Sequence, residues 1–204
     1  MTASHAAIVL AAGGSRRLGR PKQLLRRADE TLLHRAARLA SGTNPQRLLV
    51  VLGAHRDACE LALADIACEI VINEDWQSGM ASSLRAAAAA LVGHRAPTLI
   101  LACDQSALEI THLQQLLTGA ASASSGCAAT SHADKRGVPA VVTPSLLAEA
   151  ARLQADHGLG GRLRLLPDDA VWTLRAPDLE FDLDTEADVE SAIARGWLDA
   201  DQPS

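Results

Sequence analysis

The sequence predicts an α/β fold: a single-domain, Rossmann-like, mostly parallel sheet flanked by helices. Three observations predict it. Short, wholly apolar runs recur along the first half of the chain, as strands buried on both faces require. Segments with apolar residues at helical spacing separate them. The 204 residues suffice for one sizeable core, and no linker, repeat or long charge block divides them, so 1–204 reads as one domain.

In order, strands are expected at 6–12 (AAIVLAA), 47–54 (RLLVVLGA), 68–73 (CEIVIN) and 98–103 (TLILAC). Helices are expected at TLLHRAARLAS, RDACELALAD and MASSLRAAAAALVG, with Leu32, Ala36, Leu39 and Ala40 sharing one face. The second half is less regular. Residues 119–130 read as a loop and a short strand, 137–146 as a strand entering a helix near Pro144, and 170–185 as one or two late strands. TEADVESAIARGW is a helix with Thr185 as N-cap and acidic residues in its first turn. A parallel sheet binds ligands at the carboxyl ends of its strands, where 12–22 and Asp104 both lie.

Composition narrows the function. Nineteen basic against 24 acidic residues leave a net charge of −5, which excludes a general nucleic-acid surface. The early apolar run is too short for a signal sequence or a membrane span. Cys59, Cys68, Cys103 and Cys127 show neither C-x-x-C pairing nor a histidine at zinc spacing, so they read as reduced, mostly buried residues of a cytoplasmic protein. His5, His34, His55, His94 and His112 form no constellation.

The stretch IVLAAGGSRRLGRPKQLL (8–25) concentrates the chemistry. A loop after a strand that offers backbone N–H groups and cations suits phosphate. It is not a Walker loop, because Arg20-Pro21 follows Gly19 where Lys and Ser/Thr belong. It is not the G-x-G-x-x-G fingerprint, because Ser15 stands in the second glycine place. On its own it also reads as a tight glycine turn with solvated arginines.

The stretch does match L-A-A-G-x-(S/G)-x-R-(M/L)-G-x-x-K, running from Leu10 to Lys22 and followed by Gln23-Leu24-Leu25. In this it resembles the nucleotidyltransferases of the molybdenum-cofactor type, the molybdopterin nucleotidyltransferase (MobA-like) family, and within them the cytidylyltransferase branch most. Four further segments agree in order: VVLGA, NEDWQSGMASSLRAA, LACDQS and FDLDTEADVE. The resemblance implies a fold of the nucleotide-diphospho-sugar transferase type and a Mg2+-dependent transfer of CMP from CTP to the terminal phosphate of molybdenum-bearing molybdopterin, with pyrophosphate released. It implies Lys22, Arg16 and Asp104 as catalytic residues. Leu10, Ala11, Ala12, Gly13, Gly14, Ser15, Arg17, Gly19, Asn73, Gly79 and Ser82 would bind substrate, and Asp104 and Asp182 would hold the metal, with Asp184 supporting the turn. Trp76 fits the resemblance or covers the sheet edge, and the N–H groups that open the helix after Ser78 are expected to be free for ligand. Partners would be CTP, a molybdopterin-type acceptor and a recipient molybdoenzyme, with no nucleic acid and no membrane.

Three departures stand out. Asp104-Gln105-Ser106 replaces D-x-P, which suggests a less rigid turn; ADHGLGGRL (155–163) replaces G-D-x-G-A-R; and Ala28-Asp29 replaces a glycine turn as a simple loop change. Guanylyl transfer to the same acceptor, nucleotidyl transfer to a sugar or other small phosphate, and a non-catalytic cofactor chaperone stay open as alternatives.

Overall fold

A computed structural model describes residues 4–132, 135–155 and 157–202. Among the described residues, nine strands and seven α-helices follow in chain order: β1 (Ala6–Ala11), β2 (Arg26–Arg27), β3 (Glu30–Thr31), α1 (Leu32–Ser41), β4 (Arg47–Leu52), α2 (Arg56–Ala62), β5 (Glu69–Ile72), α3 (Met80–Ala90), β6 (Thr98–Ala102), α4 (Ile110–Ser122), β7 (Cys127–His132), β8 (Lys135–Val142), α5 (Pro144–Ala148), α6 (Gly160–Leu163), β9 (Val171–Arg175) and α7 (Glu186–Ala194). Seven strands form one sheet in the order β5-β4-β1-β6-β8-β7-β9, and β2 pairs with β3 in a separate hairpin. Strands β5, β4, β1 and β6 run parallel; β8 is antiparallel to β6 and β7, and β9 returns parallel to β7.

Strand β1 shows why its sequence has no polar residue. Ala7, Val9 and Ala11 pack toward α1 and α4, while Ala6, Ile8 and Leu10 pack toward α3, and all are buried. Small alanines let the helices approach a central strand from both sides. β5 departs from the expectation of two covered faces. It is an edge strand whose residues are half-buried or exposed. On α1, Leu33 and Ala37 are buried as well as the four residues of the expected stripe. The late segment forms one strand, β9, and then a 3-10 turn at Pro177–Glu180. Thr185 caps α7 as expected, and its capping box is completed by the carboxylate of Asp188. All four cysteines are free thiols, and burial pushes the Cys59 thiol up to about 11 and the Cys103 thiol well up, which keeps both protonated and inert. Among the described residues no helix is long and apolar enough to cross a membrane.

The Ala28-Asp29 turn is more demanding than a simple loop change. Both residues have positive φ, +53° and +63°, as the two central residues of a tight hairpin require. The carboxylate of Asp199 accepts both of their N–H groups, at 2.7 and 2.9 Å, and so holds the turn from the C-terminal end of the chain. Alanine is poorly suited to this conformation. Ala28→Asn should therefore stabilise the protein by about 0.5–1 kcal/mol, read as a higher melting temperature in thermal denaturation.

The sheet order fixes where a ligand can sit. From β1 the chain moves outward through β4 to β5, then crosses to β6 on the other side of β1. The carboxyl ends of β1 and β6 therefore flank the switch point of the sheet, where such folds open a crevice.

Candidate active site

A cavity of about 550 Å³ occupies that crevice. The unbroken stretch 10–17 lines it, together with Lys22, Gly79 and Asp104, so most of the expected site residues converge on one space. Leu18, Gln23, Trp76, Gln77, Met80, Ser83, Ala102, Cys103, Leu183 and Asp184 complete the wall.

The loop after β1 is built around its own polar groups. Ser15 takes a left-handed conformation, φ +48°, and its carbonyl accepts the Gly19 N–H at 3.0 Å. Its hydroxyl accepts the Lys22 N–H at 3.0 Å and donates to Gln23 Oε1 at 3.4 Å. The Gln23 side chain is wholly buried, and its amide donates to the carbonyls of Ala11 at 3.0 Å and Gly13 at 2.6 Å. Gly19 closes the turn without reaching the cavity wall. Trp76 does more than cover an edge. It lies against Gly14 so closely that a Cβ there would come within 2.6 Å of the indole, and the Arg16 guanidinium sits over its ring at 5.8 Å.

The charges meet at Lys22. Its Nζ lies 2.6 Å from Asp104 Oδ2 and 3.5 Å from Asp184 Oδ1. Burial works to lower the Lys22 pKa, but the charge and hydrogen bond of Asp104, with a contribution from Asp184, raise it above the usual lysine value. Arg17 pairs with the same Asp184 at 2.6 Å, and Arg20 pairs with Glu186 at the start of α7. Two carboxylates from distant segments and two cations from the loop thus share one point. Asp104 reaches it from the end of β6 and Asp184 from the chain just before α7. The turn carrying Asp104 is not loose. Ser106 N–H donates to the Asp104 carbonyl, the Gln105 amide donates to the carbonyls of Val138 and Leu179, and Arg27 bonds the Ser106 carbonyl at 2.6 Å.

Four expected site residues lie elsewhere. Asp182 faces a neighbouring cavity of about 890 Å³, which shares Leu10, Met80, Ala102 and Asp104 with the first and is bounded by Gly137, Val138 and His157 on its far side. Gly19 closes the loop, as above. Asn73 and Ser82 are buried behind the wall. The Asn73 amide donates to the hydroxyls of Ser82 and Ser83 at 2.7 and 3.0 Å, and Ser82 donates to the Gly79 carbonyl at 2.7 Å. They hold the turn that presents Gly79, whose φ of +93° and ψ of −177° belong to glycine alone. Nor is the start of α3 wholly free for ligand, because Ala81 N–H donates to the Ala155 carbonyl at 3.0 Å. Within 155–163, Asp156 lies outside the described residues. Gln23 is not among the expected site residues and acts within its own loop, while Asp184, expected to support the turn, reaches Lys22 and Arg17 across the chain.

The MobA-like NTP transferase domain matches residues 7–170. The chain belongs to the MobA-like NTP transferase family. Within it the chain is 36% identical over 170 residues to nicotine blue oxidoreductase of Paenarthrobacter nicotinovorans, covering 78% of this chain and 81% of that protein. The crystal structure of Rv0371c from Mycobacterium tuberculosis H37Rv is 30% identical, with 95% of this chain and 100% of that one aligned at a TM-score of 0.78. A complex of Rv0371c with manganese aligns at a TM-score of 0.73, 27% identical over 94% of this chain and 98% of that one. Molybdopterin-guanine dinucleotide biosynthesis protein A from Archaeoglobus fulgidus shares the fold, at a TM-score of 0.67 and 18% identity over 92% and 96% of the two chains. Membership of the MobA-like NTP transferase family supports an enzyme of nucleotidyl transfer.

Proposed function

We propose that this MobA-like protein transfers CMP from CTP to the terminal phosphate of a molybdopterin-type acceptor. The observation that carries the reading is the convergence of Lys22, Asp104 and Asp184 beneath the glycine loop at the switch point. The triphosphate lies along 13–17, with Lys22 and Arg16 against its oxygens and Arg17 sharing the charge. The acceptor enters from the neighbouring cavity, which meets the first at Asp104. An acceptor phosphate oxygen attacks the α-phosphorus, the new P–O bond forms in line, and the bond to pyrophosphate breaks. The attacking oxygen is already ionised, so no side chain has to remove a proton. The chain positions the two phosphates and stabilises the charge that builds between them.

Asp104 and Asp184 would supply the carboxylates for a divalent cation. Two carboxylates lining a cavity fit magnesium, which does not need a closed protein cage. When bound, the cation would supply positive charge against the triphosphate. The manganese complex of the mycobacterial relative supports divalent metal in this family. Asp184 replaces Asp182 as the second ligand in this reading, because Asp184 shares the Lys22 ammonium with Asp104 whereas Asp182 faces the acceptor side. Solution in the cytoplasm and delivery of the product to a recipient molybdoenzyme complete the proposal.

Ala12 sets the nucleotide. Ala12 is one of the residues lining the cavity, and by the resemblance the guanylyl branch usually carries glycine at this position. One methyl discriminates by about 1–3 kcal/mol, roughly ten- to two-hundredfold. Steady-state kinetics should show a higher kcat/KM for CTP than for GTP, and Ala12→Gly should narrow the gap. A wild-type protein that turns over GTP as well as CTP would remove the cytidylyl assignment.

The 36% identity to nicotine blue oxidoreductase favours a second reading, reduction of a compound like nicotine blue. The two readings separate in one experiment: pyrophosphate release from CTP supports transfer, while decolorisation of nicotine blue with NADH or NADPH as donor supports reduction.

A further inference from the structure

Gln23 meets the cavity wall yet has no solvent exposure and no charge, and its side chain bonds to three residues of the loop, Ala11, Gly13 and Ser15. We infer that Gln23 is a positioning residue that aims the loop N–H groups at the triphosphate; the inference rests on the nucleotidyl-transfer reading above. A trans peptide points its C=O and the following N–H in opposite directions. The Gln23 amide draws the carbonyls of Ala11 and Gly13 inward, at 3.0 and 2.6 Å. The N–H groups of Ala12 and Gly14 are thereby turned away from Gln23, and Gly14 lines the cavity. Among the described residues, the N–H groups of Gly13, Gly14 and Ser15 have no hydrogen-bond partner, and they are left for an anion. The other end of the same amide acts on the lysine. Gln23 Oε1 accepts from the Ser15 hydroxyl, which in turn accepts the Lys22 N–H, so the strained Ser15 and the backbone of Lys22 are set by the same side chain. An uncharged amide is the group for this task, because it needs two donors for two carbonyls on one atom and an acceptor on the other.

Two variants test it. Gln23→Glu keeps the shape but sets an oxygen against two carbonyls, and Gln23→Met keeps the length without polar atoms. Binding of inorganic tripolyphosphate and of CTP, each with magnesium, is read by calorimetry. Both variants are expected to bind both probes about ten- to a hundredfold more weakly. Leu113→Ala, a core truncation on α4 away from the loop, serves as the control for lost stability and is expected to bind like the wild type. Wild-type-like binding in Gln23→Met, or equal weakening in Leu113→Ala, overturns the inference. Should the Gln23 variants fail to fold, amide NMR of the unmodified protein decides instead. Tripolyphosphate should shift the Gly14 N–H resonance while the Gln23 side-chain amide protons stay slow to exchange, and an unmoved Gly14 resonance overturns the inference. Tripolyphosphate binding without any transfer from CTP would sink the cytidylyl reading and leave the role of Gln23 standing.

Discussion

Lys22→Ala is expected to lower kcat/KM for nucleotidyl transfer by about a hundred- to a thousandfold, the cost of removing one preorganised charge from the reacting centre. The loss should fall on both triphosphate binding and turnover, since the ammonium faces negative charge in the bound and the transition state. The fold should survive. Lys22 belongs to none of the three apolar clusters, and its backbone is held independently by the Ser15 hydroxyl. What the substitution leaves behind is also informative. Asp104 and Asp184, both within 3.5 Å of the lysine nitrogen, would face each other without a cation between them. Divalent metal should therefore raise the melting temperature of Lys22→Ala more than that of the wild type. Pyrophosphate release and thermal denaturation with and without magnesium check both halves.

Asp104→Asn should be the more damaging change, by about a thousandfold or more, because a metal contact to a phosphoryl oxygen supplies several kcal/mol. The amide keeps the size of the carboxylate, so the turn bonds of Gln105 and Ser106 should persist and the structure should change little. Asp184→Asn should follow Asp104→Asn in severity, with Asp182→Asn milder and acting mainly on the KM for acceptor. A reversal, with Asp182→Asn more severe than Asp184→Asn in kcat, would return the second ligand to Asp182. Steady-state kinetics with each substrate varied in turn gives the ranking.

Local chemistry explains which parts of this site could be read in the sequence. Strands β1, β4 and β6 announce themselves because burial on both faces keeps all but the first residue of β4 and of β6 apolar, and the glycine loop and Asp104 follow directly from where those strands end. β5 lies at the edge despite its apolar run, because such a run does not say whether a strand sits at the centre or the edge of its sheet. Asn73 and Ser82 look like ligand contacts in a linear motif, whereas the structure buries them with bonds to each other, to Ser83, to the Asp75 N–H and to the Gly79 carbonyl. The pairing of Asp184 with Arg17 and Lys22 spans more than 160 residues, and no local pattern encodes it. Gln23 was hidden for the opposite reason. Gln23 belongs to the matched run after Lys22, but a linear motif does not reveal that its side chain is buried against the loop carbonyls. The strain at Ala28-Asp29 is likewise invisible until the chain end brings Asp199 beneath it.

The central claim is that the cation-lined loop over Asp104 and Asp184 passes a nucleotidyl group from CTP to an acceptor phosphate. Pyrophosphate release from CTP, measured with and without magnesium and with and without molybdopterin acceptor, tests it most directly. Release should require both additions, run faster with CTP than with GTP, and be accompanied by a dinucleotide product of the acceptor. An intact protein that binds tripolyphosphate yet releases no pyrophosphate from any nucleoside triphosphate with the acceptor present would contradict it.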